Sequence, residues 1–574
     1  METSEKLITE NLDVWTSAVK AKSSAGRGSS NKRELYGIQK MRELILELAI
    51  RGLLEPQDPN DEPASTLLKS IANERALLVK DGTIKKKKPL PSISDGEKPF
   101  KLPNNWEWLR LSEVGHDWGQ KKPDSDFTYI DVGSINKEQG IVVDPKVLSA
   151  DDAPSRARKI VKEGTVIYST VRPYLLNIAV VAKSFEPLPI ASTAFAIVHP
   201  FQGILASFIY RYLRSPTFVN YVESCQTGIA YPAINDKQFF AGVIPLPPLA
   251  EQHRIVAKVD ELMALCDQLE QEQESSIAAH DTLVATLLNA LTETTAFAEA
   301  WERIKANFDT LFTTESSVDQ LKQTILQLAV MGKLVEQDPE DEPASELLQK
   351  IADEKAKMVK EGKIKKQITP ALLTAGEEPY PLPSSWQWCR LAQTGLGSTG
   401  KTPKTSNAAN FGGDIQFIGP GQITPNGEML KSDKTLTEAG IEESTEALAG
   451  DIMMVCIGGS IGKSVITEKR VAFNQQINAI RPISILSEYL NAAVSTDRFC
   501  RSVLENATGS ATPIINRSKW ENLLAPIPPA EEQHRIVAKV DELMTLCDAL
   551  KASLATAQAT QLNLADSLVE QAVT

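Results

Sequence analysis

The chain repeats itself. Residues 252–267, Gln-His-Arg-Ile-Val-Ala-Lys-Val-Asp-Glu-Leu-Met-Ala-Leu-Cys-Asp, return at 533–548 with one change, Ala264 against Thr545. Upstream, the Gln-Asp-Pro block at 57–65 returns at 337–345, and the Trp-x-Trp block at 106–111 returns at 386–391. Between the paired blocks the sequences diverge almost completely, yet their lengths differ by one residue. The chain is thus two copies of one unit, each a preserved frame around a variable insert. Such a duplication predicts a pseudo-twofold architecture. Two unlike inserts on it predict two different things being held or read.

At 574 residues several domains are expected. No apolar run is long enough to span a membrane, and the opening Met-Glu-Thr-Ser-Glu-Lys does not read as a secretory signal. The six cysteines lack paired metal spacing and read as reduced, mostly buried residues of a cytoplasmic protein; Cys266 and Cys547 fall at one repeat position and read as core. The net charge of −13 argues at first sight against a nucleic-acid partner. Its distribution softens that: insert 104–247 carries 14 Lys/Arg and 14 Asp/Glu, and insert 384–527 carries 13 of each. The acidic excess lies on the repeated frame, which suits basic partner proteins or plain solubility.

Periodicity predicts the elements. Residues 1–33 read as a short helix and a flexible link at 23–30. An amphipathic helix follows from Leu35 to about Ile50, ended by Gly52, with a counterpart through Val318, Leu321, Ile325 and Leu328 ended by Gly332. Second helices are predicted over 64–80 and 344–360. The lysines at 85–88, echoed at 363, 365 and 366, read as a solvated linker, with phosphate contact as the sharper alternative, though a run of lysines carries no geometry. Both inserts show short β-branched runs (164–170, 177–182, 451–456) and some helix (206–213, 487–499). Both end alike, Gly228-Ile-Ala-Tyr-Pro-Ala-Ile-Asn235 against Gly509-Ser-Ala-Thr-Pro-Ile-Ile-Asn516. Long helices then carry a seam, Ile255, Val259, Leu262, Cys266, Leu269 and Ile536, Val540, Leu543, Cys547, Leu550. The two can pair with each other or join a bundle with a third element. The expected fold class is α+β, with mixed, β-rich inserts. The expected domains are 1–103, 104–248, 249–383, 384–529 and 530–574.

Motifs of chemistry are sparse. Residues 395–402, Gly-Leu-Gly-Ser-Thr-Gly-Lys-Thr, fit the phosphate-loop spelling, which makes a nucleotide hydrolase an alternative reading. The pattern needs a following helix, whereas Pro403 comes next. His253 and His534, at the long-helix starts, read as polar helix-start residues. No catalytic residue, metal ligand or methyltransferase fingerprint is found. A coiled-coil scaffold is the third reading; equal-length divergent inserts argue against it.

The residues then resemble a known family, the DNA-specificity subunit of type I restriction–modification enzymes. The marks are the Pro-Pro-x-x-Glu-Gln-His-Arg-Ile-Val segment after each insert (247–256, 528–537), the Leu-Pro-x-x-Trp opening, Gly-Asp-Ile at 450–452, Gly-Ser-Ile-Gly-Lys at 459–463, Ser-Thr-Val-Arg-Pro-Tyr at 169–174, and the closing Gly-x-x-x-Pro-x-Ile-Asn. The resemblance implies that each insert is a target-recognition domain for one half of a split, asymmetric double-stranded DNA site. It implies an antiparallel coiled coil that sets the gap. It also implies a frame that recruits two modification subunits, which use S-adenosylmethionine, and two restriction subunits, which use ATP and Mg2+. The chain itself would need no cofactor. Because inserts vary within such a family, contact residues are chosen by chemistry: Arg and Lys for guanine or phosphate, Asn and Gln for adenine. The DNA candidates are Lys121, Lys122, Arg172 and Tyr174 in the first insert and Lys401, Lys404, Lys463, Asn474 and Gln475 in the second. Partner docking is placed on Arg254, Lys258, Arg535 and Lys539.

Overall fold

Ile38, Met41, Leu44, Ile45 and Leu48 recur at three- and four-residue steps, and in the computed structural model they line the buried side of a helix, Tyr36–Ile50. Gly52 closes it at φ +69°, where a side chain would strike Pro103 and the Trp106 ring. Gly332 does the same against Pro383 and Trp386 after the helix Glu315–Val330. The expected second helices are Ala64–Lys80 and Ala344–Lys360. The structure describes residues 2–21, 33–86, 89–228, 231–293, 297–365, 373–374 and 376–573. The predicted link at 23–30, Lys87, Lys88 and Lys366 lie outside them. The chain divides into two units, Met1–Ser276 with Ala557–Thr574, and Ile277–Thr556.

In the first unit the insert holds a six-stranded sheet in the order Gly115–His116, Phe195–Pro200, Val166–Ser169, Ile178–Val180, Ile141–Val142, Ile135–Asn136. A four-stranded sheet runs Lys146–Leu148, Phe127–Ile130, Pro189–Ser192, Ala157–Ile160. The insert is closed where its first strand, Glu107–Arg110, pairs antiparallel with its last, Val243–Leu246. The second unit builds the same closing ribbon from Gln387–Arg390 and Leu524–Ile527. Its two sheets have four strands each: Gly395–Thr399, Ile477–Pro482, Ile452–Val455, Ser464–Ile466, and Thr435–Leu436, Phe411–Ile418, Val471–Phe473, Glu446–Ala447. The fold is α+β, with both inserts β-rich.

The long helices are Leu249–Glu293 and Ala530–Val573. Among the described residues no helix is long and apolar enough to cross a membrane. In the first unit Ile255, Val259, Leu262 and Cys266 share one buried core with Met41, Leu44 and Leu48, and with Ala565 near the end of the other long helix. Arg42 reaches Asp267 at 2.7 Å and Glu270 at 2.5 Å, and Tyr36 donates to Asp566 at 2.7 Å. In the second unit Ile536, Val540 and Cys547 share a core with Val318, Leu321 and Ile325, and with Val284, Leu288 and Leu291. Lys551 meets Asp319 there at 2.8 Å. In each unit the start of one long helix lies with the end of the other, an antiparallel arrangement. The seam is completed by a third element, a frame helix, so it is a bundle contact rather than a bare two-stranded coil.

Two expectations need correction. The segment 487–499 is not one helix. It breaks into Ser487–Val494 and Asp497–Asn506, because the Thr496 hydroxyl accepts from the Phe499 N–H and starts a new helix. The reading of residues 1–33 as a short helix and a link missed an anchor: Ile8 and Trp15 are fully buried, and the Trp15 indole donates to the Ile8 carbonyl at 3.2 Å.

The first insert also sets a half-buried histidine, His199, against a buried one, His116. His199 faces His116 across paired strands, its Nδ1 lies 3.0 Å from the Thr165 hydroxyl, and Lys162 sits over the adjacent Trp118 ring at 3.6 Å. Burial, with His116 and Lys162 adding, pushes the His199 pKa down from 6.5 to about 4. The folded form therefore binds its proton later than the unfolded chain. This contribution to stability is complete above about pH 6.5 and is lost as pH falls toward 4. His199→Gln should give a shallower acid dependence than wild type in denaturant titrations stepped across that window. Parallel curves would remove the assignment.

Candidate nucleic-acid interface

The inserts are fixed to the frame by one joint, built twice. Glu251, 1% exposed at the start of the first long helix, accepts from Gln57 Nε2 at 2.5 Å and from Trp106 Nε1 at 2.9 Å. Glu532 accepts from Gln337 at 2.7 Å and Trp386 at 2.9 Å. Burial pushes both carboxyl pKa values up, and the indole and amide donors pull them back. The next residue of the motif is used as well. Gln252 and Gln533 accept the Leu205 and Leu486 N–H groups, each at 2.9 Å. Arg254 closes on Asp61 at 2.6 Å and Arg535 on Asp341 at 2.5 Å. Lys258 and Lys539 pair one turn on with Glu261 and Glu542, at 3.1 and 2.9 Å. All four residues expected to dock partners therefore have an intramolecular carboxylate. His253 and His534 are exposed at the helix starts.

The variable loops carry the DNA candidates. Lys121 and Lys122 are exposed, and Lys121 pairs with Asp124 at 2.8 Å. Arg172 and Tyr174 lie in the loop between strands Val166–Ser169 and Ile178–Val180, both exposed. Arg172 has a left-handed backbone, φ +48°, held by its N–H to the Pro232 carbonyl at 2.8 Å. A residue with a side chain pays roughly 1 kcal/mol for that conformation. Its guanidinium lies 4.9 Å from the centre of the Tyr231 ring, which is 68% exposed. Tyr231 was not among the sequence candidates. Its signal was there: it stands in the shared Gly-x-x-x-Pro ending where the second copy has Thr512.

In the second insert the structure brings four candidates together. The Lys401 N–H donates to Phe473 at 3.0 Å, and Thr402 donates to Gln475 Oε1 at 2.7 Å. Lys401 and Gln475 are exposed, and Asn474 Oδ1 is engaged by the Gln476 N–H at 3.0 Å. Lys404 is exposed, and its backbone N–H faces Glu443. Lys463 stands apart, in the loop between Ile452–Val455 and Ser464–Ile466. That loop is the counterpart of the Arg172 loop: Gly458 N–H donates to Pro513 at 2.9 Å as Arg172 does to Pro232, and Ile457 bridges Ile514 as Val171 bridges Ala233.

The phosphate-loop spelling at 395–402 forms no phosphate loop. Gly395–Thr399 is a strand paired with Ile477–Pro482, and no helix follows it. The glycines serve close packing, since a Cβ on Gly397 would run into the Glu521 carboxylate and one on Gly400 into the Asn474 carbonyl. Among the described residues no three His, Cys, Asp or Glu side chains gather to hold a metal.

A sequence profile described as the type I restriction modification DNA specificity domain matches residues 103–279 and again 383–557. The chain belongs to this family. It is 39% identical to the type I restriction enzyme EcoAI specificity subunit of Escherichia coli, with 99% of each chain covered. It is also 39% identical to the EcoEI specificity subunit of the same organism, again over 99% of each. A chain from a solved structure concerning complex assembly and conformational transition of the type I R-M system is 23% identical. It covers 83% of this chain and 99% of that one with a TM-score of 0.51, a likeness of fold. In this specificity chain both matched ranges begin within the Leu-Pro-x-x-Trp opening and run into a long helix, so each takes in the Trp and Glu of its joint and one whole set of variable loops, with Gln57 and Gln337 lying upstream.

Proposed function

We propose that this chain is the non-catalytic DNA-recognition subunit of a type I restriction–modification enzyme. Inserts 104–248 and 384–529 each read one half of a split, asymmetric site. The antiparallel long helices fix the gap, because a helix advances about 1.5 Å per residue and so measures distance along DNA in whole base pairs. One observation carries this reading: the same joint, Trp and Gln on a buried Glu, holds two inserts that share their closing ribbon and differ in their exposed loops.

The duplicated frame presents one surface twice, which supports two methyltransferase and two restriction subunits per chain, with Arg254, Lys258, Arg535 and Lys539 at matched positions of the docking face. S-adenosylmethionine, ATP and Mg2+ belong to those partners, and the complex works in the cytoplasm where its DNA lies. The loop residues Lys121, Lys122, Arg172, Tyr174, Lys401, Lys404, Lys463, Asn474 and Gln475 are the proposed DNA contacts.

The test is a genome-wide map of adenine methylation in cells with and without this gene, the companion methyltransferase being present in both. Deletion should erase methylation at one bipartite motif on both strands. Methylation unchanged at every motif, with both proteins expressed, rejects the reading.

A further inference from the structure

We propose that Arg172, braced by Tyr231, reads a guanine edge in the half-site taken by the first insert. The proposal rests on the recognition role above and gives it a residue and a base. The two inserts make the same turn at the same place, with matching hydrogen bonds to Pro232 and Pro513 and matching bridges at Ala233 and Ile514. In the second insert the turn residue is Gly458 at φ +95°, with nothing within 4 Å of a Cβ built on it. The backbone thus asks for glycine, and the site opens outward. In the first insert the same turn carries an arginine in the left-handed region. Strain of this kind persists where the side chain is put to use.

That side chain is free to be used. Among the described residues no carboxylate pairs with the Arg172 guanidinium; its contact is the face of Tyr231. A guanidinium laid on a ring keeps its in-plane N–H donors pointing outward, in the fork that fits the O6 and N7 acceptors of guanine. The ring limits how far the long side chain can wander, which lowers the ordering cost of binding. Val171, Tyr174 and Leu175, all exposed beside it, supply apolar contact for base edges or sugars.

The experiment uses the full chain with its methyltransferase subunit and maps methylated motifs for wild type, Arg172→Gly, Arg172→Lys, Tyr231→Phe and Tyr231→Ala. Arg172→Gly installs the residue of the second insert, so its unfolding midpoint should equal or exceed that of wild type. It should relax one guanine position in one half of the motif by about 5- to 150-fold and leave the other half unchanged. Arg172→Lys should relax the same position, since an ammonium lacks the fork. Tyr231→Phe should read like wild type, and Tyr231→Ala should fall between. Unchanged specificity in Arg172→Gly overturns the proposal. So does uniform weakening at every site with a salt dependence reduced by about one ion, which marks a phosphate contact. If wild type itself methylates no split motif, the recognition role fails with it; if wild type does and the variants behave otherwise, only the assignment of Arg172 fails.

Discussion

Trp106→Ala should destabilise the first unit by about 3–5 kcal/mol. The indole is 4% exposed and packs edge-on to Phe208, with ring centres 6.5 Å apart. Its loss opens a cavity beneath the point where frame, insert and long helix meet. It also takes away one of two donors to Glu251, whose pKa burial already raises. With less to hold its charge, that carboxyl protonates more readily in the folded form. A carboxyl raised above its unfolded value loses stability as pH rises, so the deficit of the variant should be larger at pH 7 than at pH 5. Trp106→Phe keeps most of the volume and should cost about 1–3 kcal/mol, the penalty for an unmet buried acceptor. Denaturant unfolding at the two pH values reads both effects. A loss below about 1 kcal/mol for the alanine variant, or a deficit that shrinks with pH, would show that the joint carries little load. Trp386→Ala should do the same to the second unit, through Glu532.

Replacing residues 104–247 by 384–527 should exchange the recognised sequence altogether. The closing ribbons make the graft possible: Trp108 pairs with Pro245 as Trp388 pairs with Pro526, and Trp106 and Trp386, just ahead of each ribbon, donate alike to Glu251 and Glu532. The grafted chain should direct methylation to a motif containing the second half-sequence twice, and the original asymmetric motif should go unmethylated. Methylation that persists at the original motif would mean that the inserts do not carry specificity. A chain that folds, binds its methyltransferase and methylates nothing would mean that the frame itself takes part in reading.

The frame was legible in the sequence because it is written twice. The bounds of Ala64–Lys80 and Ala344–Lys360 followed from apolar spacing and terminal glycines. The joint was legible in principle, since Gln57, Trp106 and Glu251 are preserved together in Gln337, Trp386 and Glu532. What repetition does not disclose is which preserved residues touch: the pairing of Arg254 with Asp61 at 2.6 Å has no mark in the repeat. The break at Thr496 was missed although the apolar spacing of Tyr489, Leu490, Ala493 and Val494 stops at Asp497 and Arg498, where the hydroxyl cap starts a new helix. In the inserts the strands were found from β-branched runs. The stacking of Tyr231 on Arg172 joins residues far apart in the chain and leaves no periodic trace.

The lacing of the long helices has a consequence for biosynthesis. Residues 277–556 form the second unit without interruption, whereas the first unit takes its last piece from residues 557–574. A ribosome therefore finishes the second unit first, though it begins with the other. Until residues beyond 557 emerge, the core around Met41 and Val259 lacks Ala565 and the neighbouring Leu562 and Leu568, and apolar surface stays open to chaperones. The completed first unit is thus a record that translation has passed through the whole second reader, and a chain broken off between them offers no finished copy of either.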